Sequence, residues 1–346
     1  MTRGWRLTAD ADLRSRNTFG IAATAPWLVE VDDCGALAEV LSLPQVRAAG
    51  PLLLGGGSNL LFAANPKAAV LSFATRRVEL LGDDGATVLL HVDAGVPWHG
   101  LVMQTLDMGL AGLENLALIP GTVGAAPIQN IGAYGTEVGE FVDAVEAWDC
   151  ELGAPVRLDR AACAFAYRDS LFKRVPDRYL VTAVRFALPR RRQPKLDYAG
   201  IPEELSAMGV AAATCRDVAE AVIRIRQRKL PDPAVIGNAG SFFKNPIVAE
   251  ELAAQVLDQH PSLPLFRGDG PGTRKLSAAW MIEQCGWKGF REGDAGVAAS
   301  HALVLVNHGD ASGAQLLDLA RRIAGAVRQR FGVDLQPEPR IIGAQW

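Results

Sequence analysis

Short apolar runs separated by glycine turns dominate the first 200 positions. Trp27–Val31, Pro51–Leu54, Val70–Phe73, Val88–Val92 and Tyr179–Leu188 have strand length and strand-forming composition, so each predicts a strand. Modest helical stretches lie between them, at Gly35–Leu43 and Trp98–Met108. Pro189-Arg190-Arg191-Arg192-Gln193-Pro194 then reads as a turn or crossover, and beyond it the apolar period lengthens. Thr214 and Asp217 form a capping box ahead of an apolar stripe at Val218, Ala221, Val222 and Ile225, which predicts a helix ending before Pro231. Leu316, Leu319, Ile323 and Val327 predict another, closed by Gly332. The segment from Gln336 to Ile342, with Pro337 and Pro339, predicts a rigid extended tail that returns to an earlier part of the chain. The fold class is therefore α+β, with a β-rich, loop-heavy half followed by a more helical one.

Composition narrows this picture. The 346 residues suggest about two domains, and 49% hydrophobic with 21% charged residues is globular. A net charge of −3 speaks against a nucleic-acid or membrane-surface partner, which would demand a broad basic face. No stretch approaches the roughly 20 apolar residues of a membrane span. Met1–Arg6, followed by Asp10 and Asp12, contains no apolar run, so a cytoplasmic location is expected. The five cysteines are odd in number and widely spaced, the pattern of reduced thiols. The five histidines show no metal-ligating spacing, so no metal site is expected. The unusual numbers are 35 glycines and 20 prolines, about a sixth of the chain without any repeat. In an apolar-rich chain those residues belong to ordered turns, where backbone can meet a ligand.

Two glycine-rich loops locate that chemistry. Gly55-Gly56-Gly57-Ser58-Asn59 joins two apolar runs, and successive glycines can turn N–H groups into an anion-binding concavity. No lysine follows, as a P-loop requires, and no G-x-G-x-x-G opens a helix. The second loop runs from Pro120 to Gly135 almost without bulk, through Gly121, Gly124 and Ala133, and its length marks it as functional. Gln129, Asn130 and Tyr134 are its polar readers. Two such loops suit an extended ligand such as a pyrophosphate joining two aromatic groups.

Four motifs in order carry a resemblance: Gly-x-Gly-Ser-Asn at 55–59, the run from Ile119 to Gly135, Tyr167-Arg168-Asp169-Ser170-x-Phe172-Lys173, and Gly237-Asn238-Ala239-Gly240-Ser241-Phe242-Phe243-Lys244-Asn245-Pro246. Together with the C-terminal Pro337-Glu338 they resemble the UDP-N-acetylenolpyruvoylglucosamine reductase (MurB) family, type I, from Asn17-Thr18-Phe19-Gly20 to Gly343. The resemblance implies a two-lobed FAD-binding domain of the PCMH/vanillyl-alcohol-oxidase type over 1–200, with lobes split near 55–80. A C-terminal α+β substrate-binding domain over 201–330 follows, and then a tail, 331–346, that returns to the active site.

The resemblance also implies non-covalent FAD on the two loops, NADPH as hydride donor and a UDP-sugar substrate whose enolpyruvyl ether is reduced to a lactyl ether in peptidoglycan biosynthesis. Hydride passes from flavin N5 to C3 and a proton arrives at C2. Ser241 matches the proton donor. Arg168 matches the active-site arginine, whose fork suits a carboxylate that gains charge. Glu338 matches the glutamate that helps stabilise and protonate the enol, in a segment reading Gln336-Pro337-Glu338-Pro339-Arg340 where relatives commonly have Glu-Pro-Glu-Val-Arg. Tyr167, Tyr198, Lys229 and Asn245 match substrate contacts, Tyr198 in a capping loop. Arg224, Arg226, Arg228 and Lys229 concentrate positive charge at one helix end, either for an anionic substrate or as a solvated basic face. Ser241-Phe242-Phe243-Lys244 also spells S-x-x-K, but S-D-N and K-T-G are absent and Pro246 interrupts the helix that motif needs. The alternatives are another FAD-dependent oxidase or dehydrogenase of the same superfamily and a nucleotide-binding module without turnover. The expected state is a monomer or weak oligomer.

Overall fold

The computed structural model describes Gly4–Trp346; Met1–Arg3, part of the segment read for a leader, lie outside the described residues. The chain divides into two compact units. The first comprises Met1–Ala11, Ala25–Gly56 and Lys67–Gln227, and the second Asp12–Thr24, Gly57–Pro66 and Arg228–Trp346. The division passes through the first glycine loop, between Gly56 and Gly57, and falls after Gln227 rather than after Gly200.

The first unit holds two sheets. One has the strands Trp5–Asp12, Thr24–Val31, Val70–Phe73 and Leu52–Leu53 side by side, the last three parallel. Its core is Val29, Val31, Leu37, Val40, Leu71 and Phe73. The other is antiparallel in the order Ala154–Asp159, Val142–Asp149, Tyr179–Pro189, Thr87–Asp93, Val78–Asp83. Val88, Leu90 and Val92 alternate with partly exposed Thr87 and Leu89, so one face is dry. The helices Trp98–Asp107, Ile201–Ala207 and Cys215–Lys229 contribute Trp98, Leu101, Leu205, Val218, Val222 and Ile225 to the same core. The capping box expected at Thr214 is present: Thr214 Oγ1 donates to Asp217 Oδ2 at 2.6 Å, and the Asp217 N–H donates back at 3.2 Å.

The second unit is built on a four-stranded antiparallel sheet, ordered Gly237–Ser241, Val304–Asn307, Ala295–Val297, Arg291–Glu292. The helix Gly313–Phe331 buries Leu316, Leu319, Ile323 and Val327. It starts at the Ser312/Gln315 capping box and stops at Gly332, whose φ of 67° is left-handed. A small sheet of Ile247–Ala249, Thr273–Leu276 and Leu265–Arg267 lies in this unit, with helices Glu250–Gln259 and Ala278–Gln284. The tail forms the strand Arg340–Ile342, parallel to Leu60–Phe62.

Two strands lie where charge interrupts the apolar pattern. Every residue of Val78–Asp83 and of Ala154–Asp159 is exposed or half-exposed. Edge positions such as these give sequence little alternation to display. All five cysteines are free, and burial raises Cys34, Cys163 and Cys215 to about 12, which leaves them inert thiols. No helix among the described residues is long and apolar enough to cross a membrane.

Candidate functional site

In the first unit the two glycine loops meet backbone to backbone. A Cβ placed on Gly56 would lie 2.8 Å from Gly121 Cα, and one on Gly55 would lie 2.8 Å from Thr122 Oγ1. Larger side chains at 55 and 56 would wedge the loops apart. This is the kind of cradle that holds a pyrophosphate through backbone donors, and it fits an FAD. The Pro120–Gly135 run is more regular than its composition suggests. Trp98 N–H donates to Gly121 O, Val123 N–H to Val96 O and Gly124 N–H to Ala94 O. Val123–Ala125 is a 3-10 turn, and Gly132–Ala133 pairs with Thr136–Glu137. Tyr134 and Gly135, at φ 49° and 78°, are the two turn residues of that hairpin. Asn130, also left-handed and buried, donates to Glu137 Oε2 at 2.6 Å and Ala166 O at 3.1 Å, and accepts from Gly139 N at 2.9 Å. Its amide therefore fastens the loop.

The Tyr167–Lys173 motif closes against this loop. Ala166 and Asp169 exchange backbone bonds across a turn, at 3.0 and 3.1 Å, with Arg168 at φ 53°. A left-handed arginine costs roughly 1–2 kcal/mol, so the surrounding contacts must hold it. Arg168 Nη2 donates to Gly132 O at 2.7 Å, Lys173 Nζ donates to Arg168 O at 3.0 Å, and Arg168 stacks near the Tyr167 ring. Asp169 pairs with Arg174 and not with Arg168. Buried Ser170 caps the following turn and donates to Ile128 O at 2.6 Å, tying motif to loop. Tyr198 packs edge-on against Tyr134 at 5.2 Å, while Asn115 Nδ2 bridges Tyr134 O and Lys195 O at 3.1 Å each.

The arginines of the helix Cys215–Lys229 do not share one environment. Arg224 is exposed and pairs with Glu220 along the helix surface, as a solvated face does. Arg226 is different, because it follows Val218 and Val222 at spacings of four on the inward row. Its Nε is buried without a hydrogen-bond partner among the described residues. Burial lowers its pKa; the nearby Tyr134 phenol raises it and Arg168 lowers it. The spacing of four from Val222 was the available signal. Burial likewise lowers the pKa of His99, with help from Arg226, and its Nδ1 accepts the Leu118 N–H at 3.1 Å.

The second unit assembles Gly57, Ser58, Asn59, Ser241 and Glu338. Gly57 is left-handed at φ 62°, and a Cβ there would lie 2.0 Å from Arg16 O. Ser241 ends the strand Gly237–Ser241, paired with Val304, after left-handed Gly240. That strand's Asn238 N–H donates to Thr18 O, and Asn307 Nδ2 of the neighbouring strand donates to Phe19 O. Gly237 is needed for the approach, since its Cβ would meet Phe19 O at 2.1 Å. The tail then passes beside Ser241. Glu338 N–H donates to Phe242 O at 2.7 Å, Lys244 N–H donates to Gln336 O, and Phe243 pairs with Pro337. Pro337 and Pro339 lack N–H groups, so Glu338 is the donor of that stretch. Asn59 accepts the Arg340 N–H at 3.0 Å and donates to Glu338 O at 3.3 Å. Asn245 Oδ1 accepts the Ala278 N–H, capping a helix. Lys229 is exposed and close enough to help burial depress the pKa of His301.

Arg168, Tyr167, Tyr198 and the 120–135 loop thus belong to the first unit, and Ser241, Glu338, Asn59, Lys229 and Asn245 to the second. A cavity of about 530 Å³ is lined by the Arg190–Gln193 turn and the Thr214–Arg216 helix start, and by none of the candidate catalytic, cofactor-binding or substrate-binding residues. Among the described residues no group of His, Cys, Asp and Glu could hold a metal ion.

Comparison with known proteins gives this geometry a context. Residues 232–342 match the family model described as "UDP-N-acetylenolpyruvoylglucosamine reductase, C-terminal domain", and residues 26–159 match "FAD binding domain". The chain is 57% identical to the UDP-N-acetylenolpyruvoylglucosamine reductase of Xanthomonas oryzae pv. oryzae (strain PXO99A), covering 99% of this chain and 98% of that one. It is 57% identical to the same-named protein of Xylella fastidiosa (strain 9a5c), covering 100% and 98%. Among solved structures, that of the reductase from Thermus caldophilus matches with a TM-score of 0.67 at 27% identity, covering 98% of both chains.

Proposed function

Because the chain belongs to the UDP-N-acetylenolpyruvoylglucosamine reductase family and carries its FAD-binding domain, we propose that it reduces UDP-N-acetyl-3-O-(1-carboxyvinyl)-glucosamine to UDP-N-acetylmuramate with NADPH, in the cytoplasm. The loops Gly55–Asn59 and Pro120–Gly135 hold FAD non-covalently, neither containing a histidine or cysteine for attachment. FAD, when bound, supplies two-electron transfer, taking hydride from NADPH and delivering it from N5 to C3 of the enolpyruvyl group. Arg168 offers its fork to the substrate carboxylate, Ser241 donates the proton to C2, and Glu338 supports that transfer. Tyr167, Tyr198, Lys229 and Asn245 bind the nucleotide sugar.

The observation that carries this reading is the lock between Glu338 N–H and Phe242 O, the residue after Ser241. It fixes the acid chain segment beside the serine. A serine hydroxyl is a feeble acid, so it needs a neighbour that meets its alkoxide or returns its proton. The test is anaerobic stopped-flow on the flavin spectrum. NADPH should bleach it and the enolpyruvyl nucleotide should restore it. In Ser241→Ala, bleaching should survive while restoration slows by about 10²-fold or more. Equal slowing of both half-reactions removes Ser241 from the proton-donor role, and a wild-type flavin that NADPH bleaches but the nucleotide cannot restore ends the reductase reading.

A further inference from the structure

We propose that Arg226 is a second cation on the substrate carboxylate, acting beside Arg168 on the charge that this group gains during reduction. The inference rests on the reductase reading above.

Three observations within the first unit support it. Arg226 occupies the inward row of the helix Cys215–Lys229, where Val218 and Val222 precede it, instead of the outward row of Glu220 and Arg224. Its Nε is buried and makes no hydrogen bond among the described residues. The charged and titratable groups acting on it are a second guanidinium, Arg168, and the Tyr134 phenol, with no carboxylate of the described residues among them. Burying a cation beside another cation is unfavourable unless an anion joins them. A ligand anion would offset both charges, and Arg168 is the arginine proposed above for the substrate carboxylate.

The reaction explains why one guanidinium is insufficient. Hydride addition forms the C3–H bond, and the C2=C3 π pair moves onto C2 and into the carboxylate. That group passes from one negative charge to two, as an ene-diolate, until a proton forms the C2–H bond and restores the single charge. Enzymes that form ene-diolates commonly set one or two divalent cations against them. Two guanidiniums supply the same double positive charge, and their donors match carboxylate geometry.

The test uses the holoenzyme with Arg226→Met and Arg226→Lys. In Arg226→Met, flavin bleaching by NADPH should be unchanged, while restoration by the enolpyruvyl nucleotide slows by roughly 10²–10³-fold, the scale of losing one transition-state donor. Binding of the enolpyruvyl nucleotide to the oxidised enzyme should weaken, and binding of UDP-N-acetylglucosamine, which lacks the carboxylate, should not. Arg226→Lys should recover part of the rate. The thermal midpoint of Arg226→Met should stay level or rise, because a buried cation is removed. Equal weakening of both nucleotides, loss of flavin, slower bleaching, or a lower midpoint with normal restoration would each overturn the proposal. Failure of the wild-type enzyme to be reoxidised would instead strike the reductase reading itself.

Discussion

Gly57 separates a backbone requirement from a ligand requirement within the first glycine loop. It has φ of 62°, and an added Cβ would sit 2.0 Å from Arg16 O and 2.7 Å from Asn17 Cα. Gly332, in the same unit, has φ of 67° with nothing within 4 Å of its Cβ position. Alanine at either site incurs the left-handed penalty of roughly 1–2 kcal/mol. Only Gly57→Ala also drives a methyl into main chain, where an ordinary contact needs about 3.5 Å. Relieving that overlap requires a backbone shift of over an ångström and adds about 1–3 kcal/mol, as overpacking typically does. At about 2–4 °C per kcal/mol, Gly332→Ala should lower the melting midpoint by about 2–8 °C and Gly57→Ala by about 4–20 °C. The assay is thermal denaturation of flavin-free protein followed by circular dichroism. Because FAD is absent, any loss reports the fold alone. Equal midpoints for the two variants would show that the Arg16 contact is not a constraint, and would return Gly57 to a purely ligand-driven role.

Two further outcomes follow from the geometry. On the proposal that its fork serves the substrate, Arg168→Ala should reduce kcat by about 10²–10³-fold while bleaching by NADPH survives; steady-state and half-reaction rates check this, and an unchanged kcat would refute it. Asp149 accepts from Arg178 at 2.9 Å and from the Glu151 and Leu152 N–H groups, which hold its carboxyl below the usual range, the arginine most of all. Its stabilisation is therefore full above the unfolded carboxylate pKa of about 3.9 and disappears as pH falls through the lower folded value. Melting midpoints of wild type and Asp149→Asn should differ most above about pH 4 and converge below it; a gap independent of pH would contradict the assignment.

The glycine loops show how much of the site composition could announce. Small residues at 55, 56 and 121 were readable as a place where backbone must approach something. The structure adds that part of what they approach is each other, through the 2.8 Å Gly56–Gly121 clearance. Asn130 was legible as a polar group in an apolar loop, but its three internal bonds depend on Glu137, Ala166 and Gly139, which no local pattern brings together. Asn245, expected from sequence at the substrate, has its carbonyl on a helix N-terminus, a contact 33 positions away that no local pattern announces.

By itself the sequence determined whatever depends on local period and local conformation. The strand Val70–Phe73, the capped helices ending at Lys229 and Gly332, and the order of four motifs along the chain are of this kind, because hydrophobic period, side-chain caps and left-handed glycines act within a few residues. Tertiary structure alone decided which of those pieces share a surface. Glu338 reaches Phe242 across 96 positions of chain, Asn59 meets Arg340, and the loops at 55 and 121 touch. It also decided the fate of two similar arginines on one helix, where a rotation of about 100° per residue leaves Arg224 exposed and buries the Nε of half-buried Arg226. Their charge was written in the sequence; whether each charge meets water, a carboxylate or another guanidinium is fixed by what packs against the helix.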